Sequence, residues 1–395
     1  MRLVVAFAVV PGLAFAEDGG KRDMPRTEAQ ATPVIGGAAA PAGKWPDCAA
    51  LLFGGYQECT GTLIAPTVVL TAGHCVNQGA PDSVLVGATR LSRPNNEGEE
   101  INVKSFFEYP DSWTSVDAGI LVLERPSTVA PRAIASGWAR FDIQNAAQIQ
   151  LVGFGTTDRD GTQSTDSLME ATSTITDYNC SHESGCNPAA MPDGELGAGG
   201  MGIDTCPGDS GGPLYLLTEY GAFVAGITSR GYDTAQYACS EGGIYGRPDK
   251  IIDWIEKTTG VSVTRGPTPT ADALTIPAGD GAETKIEDND PKSTKHTYAI
   301  TEQSPYATAA VRDDGTVRVC AGKALGTTEI GVTVTDANNP TRQVAMRIPV
   351  TIEEGDGTNC DPNDFSGGCC DTRRSAGGSI PLAMAVLLVL RRKRK

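Results

Sequence analysis

Ser210 stands in the run Asp204-Thr205-Cys206-Pro207-Gly208-Asp209-Ser210-Gly211-Gly212-Pro213-Leu214, a setting that suits a nucleophile. Hydrolysing a peptide bond with a serine takes a base to accept its proton and an anion to orient that base. It also takes two donors aimed at the oxyanion that develops. The glycines permit a tight turn, on which the amides of Gly208 and Ser210 can converge on one oxygen. His74 lies in Thr71-Ala72-Gly73-His74-Cys75, just after an apolar run. Asp117 opens Asp117-Ala118-Gly119-Ile120-Leu121-Val122-Leu123, an acid directly ahead of a buried strand. Taken singly, a Gly-Asp-Ser-Gly is usually a loop and an aspartate before a strand is usually a turn cap. The chain has only three histidines, His74, His182 and His296, and one of them falls where a base is needed. The joint order His, Asp, Ser, with this spacing, makes the case.

The elements that must hold these residues are strands. From Val34 to about Gly260 the chain is built of short apolar runs broken by Gly, Pro, Asn and Asp. They include Ala49-Ala50-Leu51-Leu52-Phe53, Val68-Val69-Leu70, Ile120-Leu121-Val122-Leu123 and Phe223-Val224-Ala225-Gly226-Ile227. Runs this short, in a sequence with 47 glycines and 25 prolines, predict an all-β barrel or sandwich. One helix is predicted at the end, where Ile251, Ile252, Trp254 and Ile255 recur on one face after Arg247-Pro248-Asp249. Residues 261–272, with Gly266-Pro267-Thr268-Pro269-Thr270, read as a linker. Residues 273–353 alternate again, most clearly in Thr316-Val317-Arg318-Val319 and Glu329-Ile330-Gly331-Val332-Thr333-Val334, which predicts a small β-sandwich. Residues 354–379 form a Gly, Asp and Cys rich spacer, and 380–395 an apolar stretch ending in the basic run Arg391 to Lys395.

At 395 residues the chain is long enough for two domains with tails. Its net charge of −16 argues against nucleic-acid binding, which wants a basic stripe. The same acidity would attract basic polypeptide substrates, or serve only to keep the protein soluble. Arg2, the apolar Leu3 to Leu13 and Ala14-Phe15-Ala16 predict an export signal over residues 1–16, followed by a polar propeptide over 17–33. Export places the eleven cysteines in an oxidising compartment, so disulfides are expected. No metal-ligand cluster stands out in the sequence. Glu287-Asp288-Asn289-Asp290 reads as an acidic surface turn, with a calcium loop as the alternative.

On Val34-Ile35-Gly36-Gly37, Thr71 to Cys75, the Asp117 strand, Gly208 to Pro213 and the closing helix around Trp254-Ile255, residues 34–260 resemble the trypsin and chymotrypsin family. The resemblance implies two six-stranded antiparallel β-barrels and a C-terminal helix, with the site in the cleft between the barrels. It makes Ser210 the nucleophile, His74 the general base and then acid, Asp117 the group that fixes the imidazole, and Gly208 and Ser210 the oxyanion donors. Asp204 falls at the floor of the primary substrate pocket, with Gly231 and Gly243 along its walls, which implies cleavage after Arg or Lys, and Ser229-Arg230-Gly231 falls on the strand that pairs with bound substrate. The disulfides implied are Cys59–Cys75 and Cys206–Cys239. The family's usual third bridge would need a cysteine at Gly197, so Cys180 is expected to close on Cys186, leaving Cys48 without a partner.

The resemblance also implies a zymogen, in which a freed Val34 ammonium pairs with Asp209. Pro33 before Val34 departs from a tryptic self-activation site, so a separate activating protease is implied. Arg230 stands where the family usually has an aromatic, and it is expected either to attract acidic substrate residues or to lie in solvent. The C-terminal module resembles cadherin-like or Ig-like sandwiches. Cys369-Cys370 with the apolar stretch and basic end resemble a myxobacterial sorting tag, which implies attachment of a secreted protein to the cell surface. The competing function is a non-catalytic protease-like module for surface binding or adhesion.

Overall fold

The structure is a computed structural model that describes residues 33–77, 79–112, 114–187, 190, 194–357 and 360–365. The export signal, all but the last residue of the propeptide, Cys369-Cys370 and the sorting tail lie outside the described residues.

The first barrel is formed by β1 (Cys48–Phe53), β2 (Tyr56–Ala65), β3 (Val68–Thr71), β4 (Ser83–Val86), β5 (Glu99–Glu108) and β6 (Gly119–Leu123). It closes in the order β1-β2-β3-β6-β5-β4, with every pairing antiparallel. Leu51, Leu63, Val69, Leu70, Leu85, Ile120 and Leu121 fill it and are essentially inaccessible to water. The second barrel uses β7 (Gln148–Gly153), β8 (Met169–Asp177), β9 (Glu195–Ala198), β10 (Pro213–Thr218), β11 (Gly221–Gly231) and β12 (Gly243–Gly246). Its order is β8-β9-β12-β11-β10-β7, and the β7–β8 pairing closes the ring. Closure leaves neither barrel with a long unpaired edge. The helix α1 (Ile252–Thr259) buries Ile252 and Ile255 and ends on Gly260, while Trp254 meets Tyr109 edge-on at 5.0 Å.

The barrels are joined by a buried polar knot. Asp47, ahead of β1, accepts hydrogen bonds from Arg132 Nη2 (2.6 Å) and from the hydroxyl of Tyr215 on β10 (2.6 Å). Trp45 stacks on the Tyr215 ring at 4.3 Å. Burial and the negative charge of Asp47 push the Tyr215 hydroxyl up, so it remains a donor.

The C-terminal unit has two sheets. One is β13 (Leu274–Pro277), β19 (Gln343–Glu353), β18 (Gly326–Asp336) and β15 (His296–Glu302) in that spatial order; the other is β14 (Gly281–Lys285), β17 (Thr316–Ala321) and β16 (Ala307–Val311). Strand β19 shows how the alternation works: Val344, Met346, Ile348, Val350 and Ile352 point into the core while their neighbours face water. The β13–β19 pair is parallel.

The sandwich is built onto the barrels. Trp138, from the segment between the barrels, is wholly buried among sandwich core residues such as Ile276 and Val344. Its Nε1 donates to Asp288 O at 2.7 Å, and the Arg342 guanidinium sits 5.4 Å from its ring. Removing a whole tryptophan side chain, on the order of 200 Å², from water is worth about 5 kcal/mol. Residues 261–272 are tied down along the way, with Gly266 N donating to Ile134 O and Thr270 pairing with Glu287 in both directions. In the acidic turn before β15, Glu287 and Asn289 are exposed, while the Asp290 carboxylate points inward and is met by Arg342 (3.1 Å) and by His296 Nε2 (3.3 Å).

The disulfides are Cys59–Cys75, Cys180–Cys186, Cys206–Cys239 and Cys320–Cys360, and Cys48 is a buried free thiol. The fourth bridge ties β17 to a residue in the predicted spacer.

Candidate active site

Strand register brings the imidazole to its carboxylate. Thr71 at the end of β3 pairs with Gly119 at the start of β6, so the turn after β3 and the residues before β6 share one end of the barrel. His74 lies in that turn, Gly73–Cys75, and Asp117 two residues ahead of β6. Asp117 Oδ1 accepts from His74 N at 3.0 Å, and Oδ2 lies 2.7 Å from His74 Nδ1. The Ser229 hydroxyl, near the end of β11 in the other barrel, donates to the same Oδ2 at 2.7 Å. Burial pushes the Asp117 carboxyl up. The hydrogen bond and charge of His74 and the Ser229 hydroxyl outweigh it and hold the group below the usual aspartate range.

The serine loop is pinned against that turn from both sides. Thr60 N donates to Ser210 O (2.8 Å), Gly211 N donates to Thr228 O (2.8 Å), and Cys75 Sγ approaches Ser210 O at 3.6 Å. Gly211 has φ +80, and a Cβ there would collide with Thr71 Oγ1, so only glycine lets the loop lie this close to the histidine strand. Asp209 N bonds to Cys206 O and Gly212 N to Asp209 O. Among the described residues, the N–H groups of Gly208 and Ser210 have no protein acceptor, unlike those of Asp209, Gly211 and Gly212. Gly208 adopts φ +95, and its carbonyl accepts from Gln57 Nε2 and Thr60 Oγ1, both at 2.8 Å. Thr156 N holds Pro207 O at 2.8 Å. Because the Pro207–Gly208 peptide is planar and trans, fixing its carbonyl also fixes the direction of the Gly208 N–H.

Asp204 is buried, only 3% exposed, rather than turned to solvent. Its Oδ1 accepts from Thr205 N (2.8 Å), and its Oδ2 from Ser240 N (3.0 Å) and Gly242 N (2.9 Å). Among the described residues no cation pairs with it, and burial, only partly offset by these amides, pushes its carboxyl up to about 6. A Cβ on Gly231 would touch nothing within 4 Å, whereas one on Gly243 would meet Arg230 O at 2.8 Å and lie 3.8 Å from Asp204 Oδ1. The Cys206–Cys239 bridge braces the loops on either side.

Asp209 is fully buried and accepts from Gly155 N (2.7 Å) and Cys206 N (2.8 Å). Burial, against those two bonds, raises it to about 7. Val34 is 1% exposed in the core of the second barrel, but Pro33 is still attached, its nitrogen is an amide, and no ion pair joins it to Asp209 in this chain. Val34 carries φ +33, a conformation that a β-branched residue resists.

Arg230 is only partly in solvent and already has an acidic partner within the fold. Its guanidinium is clamped on Glu195, with Nη1 at 2.8 Å and Nη2 at 3.0 Å from the two carboxylate oxygens. Gln57, Thr60, Thr156 and Glu195 carry no local signal in the sequence. Gln57 and Thr60 stand 151 and 148 residues from Gly208, and only the closed fold brings them together.

An imidazole on a buried carboxylate, beside a glycine-rich serine loop with two spare amides, is the set of groups that serine hydrolases use. The trypsin family model matches residues 34–255. A trypsin of Saccharopolyspora erythraea is 34% identical over 227 residues, covering 56% of this chain and 95% of that protein. Serine protease snk of Drosophila melanogaster is 31% identical over 259 residues, covering 57% of this chain, which spans only 56% of that protein's length. Among solved structures, the secreted serine protease VesC of Vibrio cholerae aligns with 80% of this chain and 71% of its own, at 20% identity and a TM-score of 0.47. The chain belongs to the trypsin family of serine proteases.

Proposed function

We propose that this protein is a secreted serine endopeptidase that cleaves after Arg or Lys through an acyl-enzyme and is made as a zymogen. Ser210 attacks the scissile carbonyl while His74 takes its proton, later returning it to the leaving amine. Asp117 holds the imidazole in the required tautomer, and the Gly208 and Ser210 amides receive the oxyanion. The observation that carries the specificity is Asp204: a buried carboxylate, raised to about 6, with backbone partners but no cation. A neutral substrate side chain would leave that charge unpaired, whereas a cation completes it. Arg should be favoured over Lys, because its planar fork can make two hydrogen bonds to one carboxylate. The absence of a side chain at Gly231 and Gly243 supports a slot long enough for either.

Asp209 supports the zymogen reading in the same way. In the uncut chain it is a buried acid lacking a cation, and cleavage before Val34 would create an ammonium on a residue already seated in the second barrel. The activating enzyme is a different protease, since Pro33 precedes the bond. Residues 1–16 direct export and 17–33 form the propeptide. The protease domain spans 34–260, and residues 261–272 connect it to a cadherin-like or Ig-like sandwich (273–353). The tail carries the secreted protein to the cell surface through a myxobacterial-type sorting tag.

The test is kinetic, on protein beginning at Val34, with peptide anilides bearing Arg, Lys, Phe or Ala before the scissile bond. Arg should lead, and Asp204→Ser should reduce kcat/KM on the Arg substrate by about a thousandfold or more, the loss that follows when a buried charge partner is removed. A preference for Phe or Ala in the unmodified enzyme would overturn the pocket assignment.

A further inference from the structure

Arg230 lies next to Ser229 on the strand that borders the site, and its guanidinium has four hydrogen bonds. Nη1 donates to Glu195 Oε1 (2.8 Å) and Ser229 Oγ (3.1 Å), and Nη2 to Glu195 Oε2 (3.0 Å) and Gly185 O (2.8 Å). The Glu195 side chain is 1% exposed, and Asn187 N also donates to its Oε2 at 2.9 Å. Ser229 Oγ in turn donates to Asp117 Oδ2 (2.7 Å), the oxygen that faces His74 Nδ1. A continuous chain of contacts therefore runs Glu195–Arg230–Ser229–Asp117–His74, across both barrels.

We propose that Arg230 and Glu195 are positioning residues for the His74–Asp117 pair, acting through the Ser229 hydroxyl. The inference rests on the reading of His74, Asp117 and Ser210 as the reacting set. A hydroxyl has one hydrogen and two lone pairs, and a guanidinium can only donate. With Arg230 Nη1 occupying a lone pair of Ser229, the single hydroxyl hydrogen is committed to Asp117 Oδ2. The rotor is locked, and Asp117 gains a permanent second donor that sets the direction of the carboxylate. Glu195 does two things: its paired oxygens hold the guanidinium plane, and its charge balances a cation that would otherwise oppose a protonated His74. The charged groups along this chain of contacts are His74, Asp117, Arg230 and Glu195.

The experiment measures the rate of labelling of Ser210 by a fluorophosphonate between pH 5 and 9, using protein beginning at Val34. The probe reacts at the nucleophile alone, so a change in extended substrate binding does not enter. Arg230→Met alone leaves a buried Glu195 charge without its partner and destabilises the fold, so Arg230→Met with Glu195→Gln carries the test and Arg230→Lys is the conservative rescue. The pair variant should label about five- to tenfold more slowly on the plateau, the loss expected for one hydrogen bond of ordinary strength. Its acid limb should move to higher pH, because an Asp117 whose Ser229 donor is no longer fixed on it holds a protonated imidazole more firmly. Arg230→Lys should recover part of both. Equal rates and superimposed acid limbs in the unmodified protein and the pair variant would overturn the inference while leaving the reacting set intact. An unmodified protein that does not label at all would remove both together.

Discussion

In the uncut chain Asp209 is a fully buried carboxylate with two backbone donors and no cation, raised to about 7. The unfolded chain has it near the ordinary aspartate value, so between that value and pH 7 the folded form binds more protons. Stability therefore falls as pH rises through this window. The shift corresponds to about 4 kcal/mol once pH exceeds 7, of which about 3 kcal/mol accrues between pH 5 and pH 7.5. Cleavage before Val34 supplies an ammonium that pairs with the carboxylate, keeps it ionised across the window and abolishes this penalty. Scanning calorimetry on the Ser210→Ala protein, which cannot digest itself, compares the uncut chain with one beginning at Val34. Groups that do not interact with Asp209 titrate alike in both forms and cancel in the comparison; Asp204, whose charge also raises Asp209, is replaced by Asn in both proteins. Relative to the cut form, the uncut form should lose about 4–6 °C in Tm between pH 5 and pH 7.5. Parallel pH dependences in the two forms would refute the pairing of Val34 with Asp209.

Two further outcomes follow. Trp138→Ala should cost about 3–5 kcal/mol and give the sandwich a separate, lower thermal transition, because the residue is buried in the sandwich core and bonded to Asp288; calorimetry showing one undivided transition at the original temperature would contradict this. Mass spectrometry of the mature protein from its native cells should find a C-terminus near Cys369-Cys370, and a soluble secreted form retaining Lys395 would count against surface sorting.

The sequence carries the pieces that depend on local order. Short apolar runs broken by turn residues are enough for an all-β barrel or sandwich, because a strand's pattern is fixed by which of its own neighbours face inward; the two barrels are implied by the family resemblance. The glycine-rich loop around Ser210 is legible for a similar reason: positive φ and close approach leave only glycine at Gly208 and Gly211. What the sequence hides is pairing at a distance. Trp138 looks like an ordinary residue between strands, yet its partner carbonyl on Asp288 is 150 residues away. Arg230 reads as a free charge until the fold supplies Glu195, 35 residues earlier, on a neighbouring part of the barrel. Cys320 finds its partner 40 residues on, in a stretch whose composition says only spacer. For Trp138 and for Glu195 the deciding quantity is a buried polar group's need for a partner, and for Cys320 it is the reach of a second thiol, neither of which a local pattern encodes.

The most direct test of the account is covalent. Protein beginning at Val34 is treated with a fluorophosphonate, digested and mapped by mass spectrometry, alongside its His74→Ala variant. The account predicts one adduct per chain, on Ser210, formed at least a thousandfold more slowly without the His74 imidazole, in line with the loss when a triad member is removed. An unlabelled Ser210 in a folded chain that begins at Val34, or an adduct that forms equally fast without His74, would contradict it.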